Sequence, residues 1–160
     1  MLFLLKISCL CCLTAIIAQD FRERKVYLLL LIILAIIMAL FYYLKSDTLV
    51  YLSNISINLT VLLVLMGILF LYSKFKLKQT LNTALGLGDI IFFVVIAISF
   101  PVPTFIIVFT CSLIFALVLF LFLKPNLSKK SVPLAGLQAL FFLLIFSANW
   151  MFHFTNLYVF

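Results

Sequence analysis

The chain has 160 residues, of which 68% are hydrophobic and 9% charged, with a formal net charge of +7. Soluble domains run at about 45–50% apolar and about 25% charged, so no water-soluble fold could cover this much apolar surface. A soluble enzyme or a nucleic-acid binder is thereby excluded, and the basic residues sit in short clusters between apolar runs, the pattern that orients a membrane protein.

A helix needs about 20 predominantly apolar residues to cross a bilayer. Six candidate spans follow along the chain, at about 1–19, 26–44, 54–73, 85–101, 103–123 and 133–153. Runs such as Val26 to Leu44 do not alternate polar and apolar residues, as barrel strands do. The expected class is therefore an all-α membrane protein, a polytopic bundle of about six transmembrane helices, and the short connections make residues 1–160 one transmembrane domain.

The first span, Met1 to Ala18, has the apolar run and small final residue of a secretory signal peptide. Its positive charges, Arg22, Arg24 and Lys25, follow the run instead of preceding it, so it reads as a first membrane helix. Cys9 and Cys12 have the spacing of a redox or metal pair, but with Cys11 and Cys111 they lie in apolar segments and read as small core residues. No metal and no cofactor is expected.

The second span leads into a polar connection, Lys45 to Ser53, which holds Asp47 as a solvated carboxylate. The third is followed by Lys74, Lys76 and Lys78. The fourth, the shortest, opens on Gly86-Leu87-Gly88-Asp89 and ends at a turn around Pro101 and Pro103. Lys124, Lys129 and Lys130 follow the fifth. In the last span, Gln138 and Asn149 read as polar groups bonding between helices, and His153 as an interfacial residue. The three basic connections belong on one side of the membrane, which the positive-inside rule makes the cytoplasm, with both termini outside it.

Four acidic residues exist, Asp20, Glu23, Asp47 and Asp89. Glu23 lies among arginines and Asp47 in a polar connection, which leaves Asp20 and Asp89. Asp20 closes the first span and Asp89 opens the fourth, so the topology brings both to one depth near the cytoplasmic face. Ionisable groups at the edge of hydrocarbon are costly and are functional candidates. Two carboxylates at one site cannot both ionise readily, so one can serve as base while the other keeps its proton as acid. Such a pair can activate a water against a peptide carbonyl without a metal or a nucleophilic side chain. Gly86 and Gly88 would give this loop unusual backbone angles, or let a substrate strand or a helix approach closely. Each acid also has a plainer reading: Asp20 pairing with Arg24 four residues on, Asp89 as a helix N-cap.

These features resemble the type IV prepilin peptidases and their archaeal preflagellin relatives, which are intramembrane aspartic proteases. Asp20 with Arg22, Arg24 and Lys25 is similar to the family's first catalytic aspartate and its basic tail; Gly86-Leu87-Gly88-Asp89 is similar to its Gly-x-Gly-Asp motif. Val132-Pro133-Leu134-Ala135-Gly136 resembles the Pro-containing start of its last helix. Val26-Tyr27 stands where the family commonly has Pro-Asn, and Ile90-Ile91-Phe92-Phe93 where a lysine often follows the second aspartate. The chain lacks the soluble loop with paired cysteines of the bifunctional members and resembles the short, peptidase-only form.

The resemblance implies that Asp20 and Asp89 are the catalytic pair. It implies pilin-like precursors with short basic leaders as substrates, cut at the cytoplasmic face of a bacterial inner membrane. The bilayer is the other partner, and no oligomeric state follows from the sequence. A non-enzymatic scaffold, or a small transporter using an aspartate as a proton or cation site, remains the rival from the residues alone.

Overall fold

The computed structural model describes residues 2–77, 86–123, 132–152 and 157–158. Six helices follow one another: α1 (Leu2–Glu23), α2 (Leu28–Tyr43), α3 (Thr48–Tyr72, continued by a π-helical turn Ser73–Leu77), α4 (Leu87–Ser99), α5 (Val102–Leu123) and α6 (Leu134–Phe152). No strand occurs among the described residues. The chain is an all-α membrane bundle, in which α1, α3, α5 and α6 are each long and apolar enough to cross a bilayer. α2 and α4 are shorter, at 16 and 13 residues. A 13-residue helix extends only about 20 Å against a hydrocarbon layer of about 30 Å, so at least one end of α4 lies within the depth of its neighbours.

The expected six elements are present, with several limits shifted: α1 runs on to Glu23 instead of ending near residue 19. α3 starts at Thr48 instead of near residue 54, through a stretch that reads as a polar connection. Its hydroxyls do not interrupt the helix because they turn back on it: Ser53 donates to the Leu49 carbonyl at 2.8 Å and Ser56 to the Leu52 carbonyl at 2.9 Å. α4 stops at Ser99. Phe100 is extended, as the residue before a proline tends to be. The buried Asn58 of α3 donates to the carbonyls of Ala97 at 2.9 Å and Phe100 at 2.8 Å, giving the end of α4 partners that a dry interior could not otherwise supply.

α1 packs chiefly on α6 and also on α2; α4 sits between α2 and α3, and α5 joins α3 to α6. Between them lies an aromatic core in which Phe100 stacks on Phe142, Phe146 and Tyr158, and Phe146 stacks on Trp150 at 5.4 Å. α3 turns mostly outward, with Leu63, Ile68 and Leu71 exposed and open space beside Gly67, the surface expected where lipid is the neighbour. Cys9 belongs to the core and places its thiol 3.7 Å from the Met38 sulfur. Gln138 of α6 donates to Ser112 of α5 at 3.2 Å, the bond between helices expected of it. His153 and Lys78, Lys124, Lys129 and Lys130 lie outside the described residues.

Helix order gives the bundle two distinct ends. One gathers the end of α1, the start of α4 and the start of α6. The other gathers the start of α1, the α2–α3 connection, the Pro101 turn and the end of α6, where Lys6 lies over the Trp150 ring at 5.3 Å.

Candidate active site

Asp20 lies in the last turn of α1. That helix ends where Arg24 enters the left-handed region, at φ 58°, a conformation that few non-glycine residues adopt and that halts a helix. The Arg24 amide still donates to the Asp20 carbonyl at 3.2 Å, and the Gln19 side-chain oxygen accepts from the Tyr27 amide at 3.2 Å, fixing the turn into α2. The Asp20 side chain is thereby left buried, at 6% exposure, against the beginning of α6.

Asp89 is the third residue of α4. Gly86, not Asp89, occupies the cap position, and the Gly86 amide donates to Asp89 Oδ2 at 3.2 Å. The carboxylate thus ties down the start of its own helix through one oxygen, and the other is free to reach across the bundle.

Both acids meet at α6. Its first amides have no partners within the helix, and its N-terminal end carries a partial positive charge that favours carboxylates. The Ala135 amide donates to Asp89 Oδ1 at 2.8 Å, and the Gly136 amide donates to Asp20 Oδ2 at 2.6 Å. Neighbouring α-carbons are only about 3.8 Å apart, so consecutive amides hold the two carboxylates side by side. Each acid is within electrostatic reach of the other.

Gly136 is what permits this approach. A β-carbon there would lie 3.0 Å from both the Asp20 β-carbon and its Oδ2, and 3.3 Å from the Phe21 ring. The glycines of the sequence motif are less constrained. Gly86 has φ −70° and ψ 147°, which any residue adopts, although a β-carbon would sit 3.2 Å from Asp89 Oδ2. At Gly88 a β-carbon would meet Val26 at an ordinary 3.6 Å. No described glycine has a positive φ, so their value here is closeness of approach and not unusual backbone angles.

Arg24 makes no ion pair with Asp20 among the described residues; its Nε and Nη1 are buried without partners, and its charge acts on Asp20 from a distance. The structure therefore brings together Asp20, Asp89 and Gly86, with Gly88 beside Val26 of the α1–α2 connection. The Ala135 and Gly136 amides carry no signal as catalytic residues in the sequence; their only trace is Pro133 before the helix and a small residue three positions later.

Two carboxylates this close share a proton more readily than they ionise together, so the pair can present one base and one acid to a water and a carbonyl group. The sequence model of the type IV leader peptidase family matches residues 7–121, a stretch that holds Asp20, Gly86, Gly88 and Asp89 and ends before α6. No curated protein and no solved structure matches the chain.

Proposed function

We propose, for a chain that belongs to the type IV leader peptidase family, that Asp20 and Asp89 are the general acid/base pair of an intramembrane aspartic endopeptidase. Membership makes it a leader peptidase in general terms. The observation that carries the finer reading is the pair of consecutive amides, Ala135 and Gly136, each holding one of the two carboxylates.

In this reading the ionised carboxylate draws a proton from a water as the oxygen of that water forms a bond to the scissile carbonyl carbon. The protonated partner gives its hydrogen to the carbonyl oxygen. Collapse of the tetrahedral species breaks the C–N bond as the nitrogen takes up one proton from the pair, while a hydroxyl of the gem-diol returns one proton to it and becomes the carbonyl oxygen of the new carboxyl group, which restores the shared-proton state. Roles belong to the pair, not to one named residue.

The substrates proposed are pilin-like precursors with short basic leaders. The end of the bundle that holds the acids also carries Arg22, Arg24 and Lys25, and α3 leads Lys74 to it, whereas the other end has Lys6 and Lys45. The positive-inside rule then puts the acids at the cytoplasmic face of a bacterial inner membrane, with the chain crossing it several times.

The test is co-expression of a candidate precursor with the wild type, Asp20→Asn and Asp89→Asn. Release of the leader by the wild type and its loss in both variants is expected, since acid/base groups typically contribute about 10²–10⁴-fold. Unchanged processing by either variant refutes the pair. A transporter would instead show flux that responds to neutralising one acid, without release of a peptide.

A further inference from the structure

At the end of the bundle opposite the aspartates, the α2–α3 connection, the Pro101 turn and Tyr158 line an open cavity of about 390 Å³, with Lys45 and Asp47 exposed on its rim. That is the size range of small-molecule sites. Nothing in the peptidase reading uses it.

Its wall carries one charge of each sign. Lys45 holds its ammonium over the Tyr158 ring, 5.1 Å from the centroid, and is not joined to Asp47 two residues away. Asp47 occupies the cap position of α3, yet its carboxylate makes no capping bond, so it is not spent on its own helix. Burial pushes the Tyr158 phenol above its usual range, so the ring adds no charge. The floor is set by an inter-helix bond, in which the Asn54 amide donates to the Tyr42 hydroxyl at 2.6 Å. That hydroxyl accepts here and keeps its own proton for a further acceptor.

The surroundings point to where a ligand would come from. Leu44 and Val50 line the cavity and are exposed, at the end of apolar helices where hydrocarbon gives way to the polar layer. A ligand that satisfies this wall needs an anionic group for Lys45 and Tyr42, and a cation for Asp47 and the aromatic faces. A purely anionic ligand would meet Lys45 but also Asp47.

We propose that this cavity binds a phosphate-ammonium zwitterion, the headgroup chemistry of an ethanolamine phospholipid, with Lys45 taking the phosphate and Asp47 the ammonium. The assignment is independent of the peptidase reading and stands or falls on binding alone.

The full-length chain in detergent is titrated with short-chain phosphatidylethanolamine, short-chain phosphatidylglycerol, and glycerophosphoethanolamine, which is the headgroup without chains. Bound ligand is counted by native mass spectrometry. The ethanolamine lipid is expected to bind one to one and at least fivefold more tightly than the glycerol lipid, with Lys45→Gln and Asp47→Asn each weakening it about fivefold, the upper range for a partly exposed charge pair. Asp47→Asn is expected to strengthen binding of the glycerol lipid by removing a repulsion. Unfolding midpoints without lipid, equal to that of the wild type, show that the variants are folded. Equal affinity for the two lipids, or unchanged affinity in both variants, overturns the zwitterion. Binding of glycerophosphoethanolamine as tight as that of the lipid overturns the membrane source.

Discussion

Replacing Gly136 by alanine tests the geometry of the site without touching either acid. The new β-carbon would lie 3.0 Å from the Asp20 β-carbon, which is part of the main structure of α1 and not the far end of a flexible chain. An ordinary contact needs several tenths of an ångström more. α1 and α6 must separate by that amount, or Asp20 must turn away and give up the 2.6 Å bond from the Gly136 amide. Overpacking of this kind costs about 1–3 kcal/mol in stability. A displacement approaching 1 Å at a reacting group costs about 10²-fold in rate, so a fall of about tenfold or more in leader release is expected. The assay is the time course of precursor cleavage by membranes holding matched amounts of each variant, beside unfolding in detergent. Gly88→Ala is the control, since its β-carbon would stand 3.6 Å from Val26, and it should stay within about twofold of the wild type. Wild-type cleavage by Gly136→Ala would refute the argument that this glycine sets the spacing of the acids.

The remaining expectations concern the acids and the polar groups that shape the helices. Asp20→Asn keeps an oxygen able to accept from Gly136 and should fold with an unfolding midpoint near that of the wild type while losing cleavage, and its collapse would show that the charge itself holds α6; Asp89→Asn keeps the acceptor for Ala135 but loses the one for Gly86, so it should lose cleavage at a cost of about 1–3 kcal/mol in unfolding. Asn58→Leu leaves the Ala97 and Phe100 carbonyls without their donor in a dry setting and should cost about 1–3 kcal/mol in detergent unfolding; a loss near zero would contradict its role at the end of α4. Gln138→Leu removes one bond to Ser112 and should cost only about 0.6 kcal/mol with cleavage intact; a large loss of activity would place Gln138 in the site.

Much of this was legible in the residues because hydrocarbon is an unforgiving solvent. Long apolar runs without alternation leave helices as the only way to satisfy the backbone, and a carboxylate within them stands out as a cost that needs a reason. Asp20 and Asp89 could therefore be picked out singly. What held them could not be, because the donors are backbone amides of Ala135 and Gly136, and an amide leaves no mark in a side-chain alphabet. The glycines next to Asp89 drew attention as conformational devices, while the closest approach in the site belongs to Gly136, 116 positions from Asp20. Helix limits depart from the sequence pattern where polar residues find partners out of sight of the sequence: the hydroxyls of α3 bond within their own helix, and Asn58 serves the end of a different one.

Because both carboxylates are gripped by the same turn of α6, a tilt of that helix carries them along together and leaves their separation nearly unchanged. The spacing that matters for sharing a proton is thus insulated from breathing of the bundle. Ala135 donates only through its main chain, but its methyl group is buried in the core, so a small residue is called for there as well, whereas at the neighbouring position even a methyl group crowds Asp20.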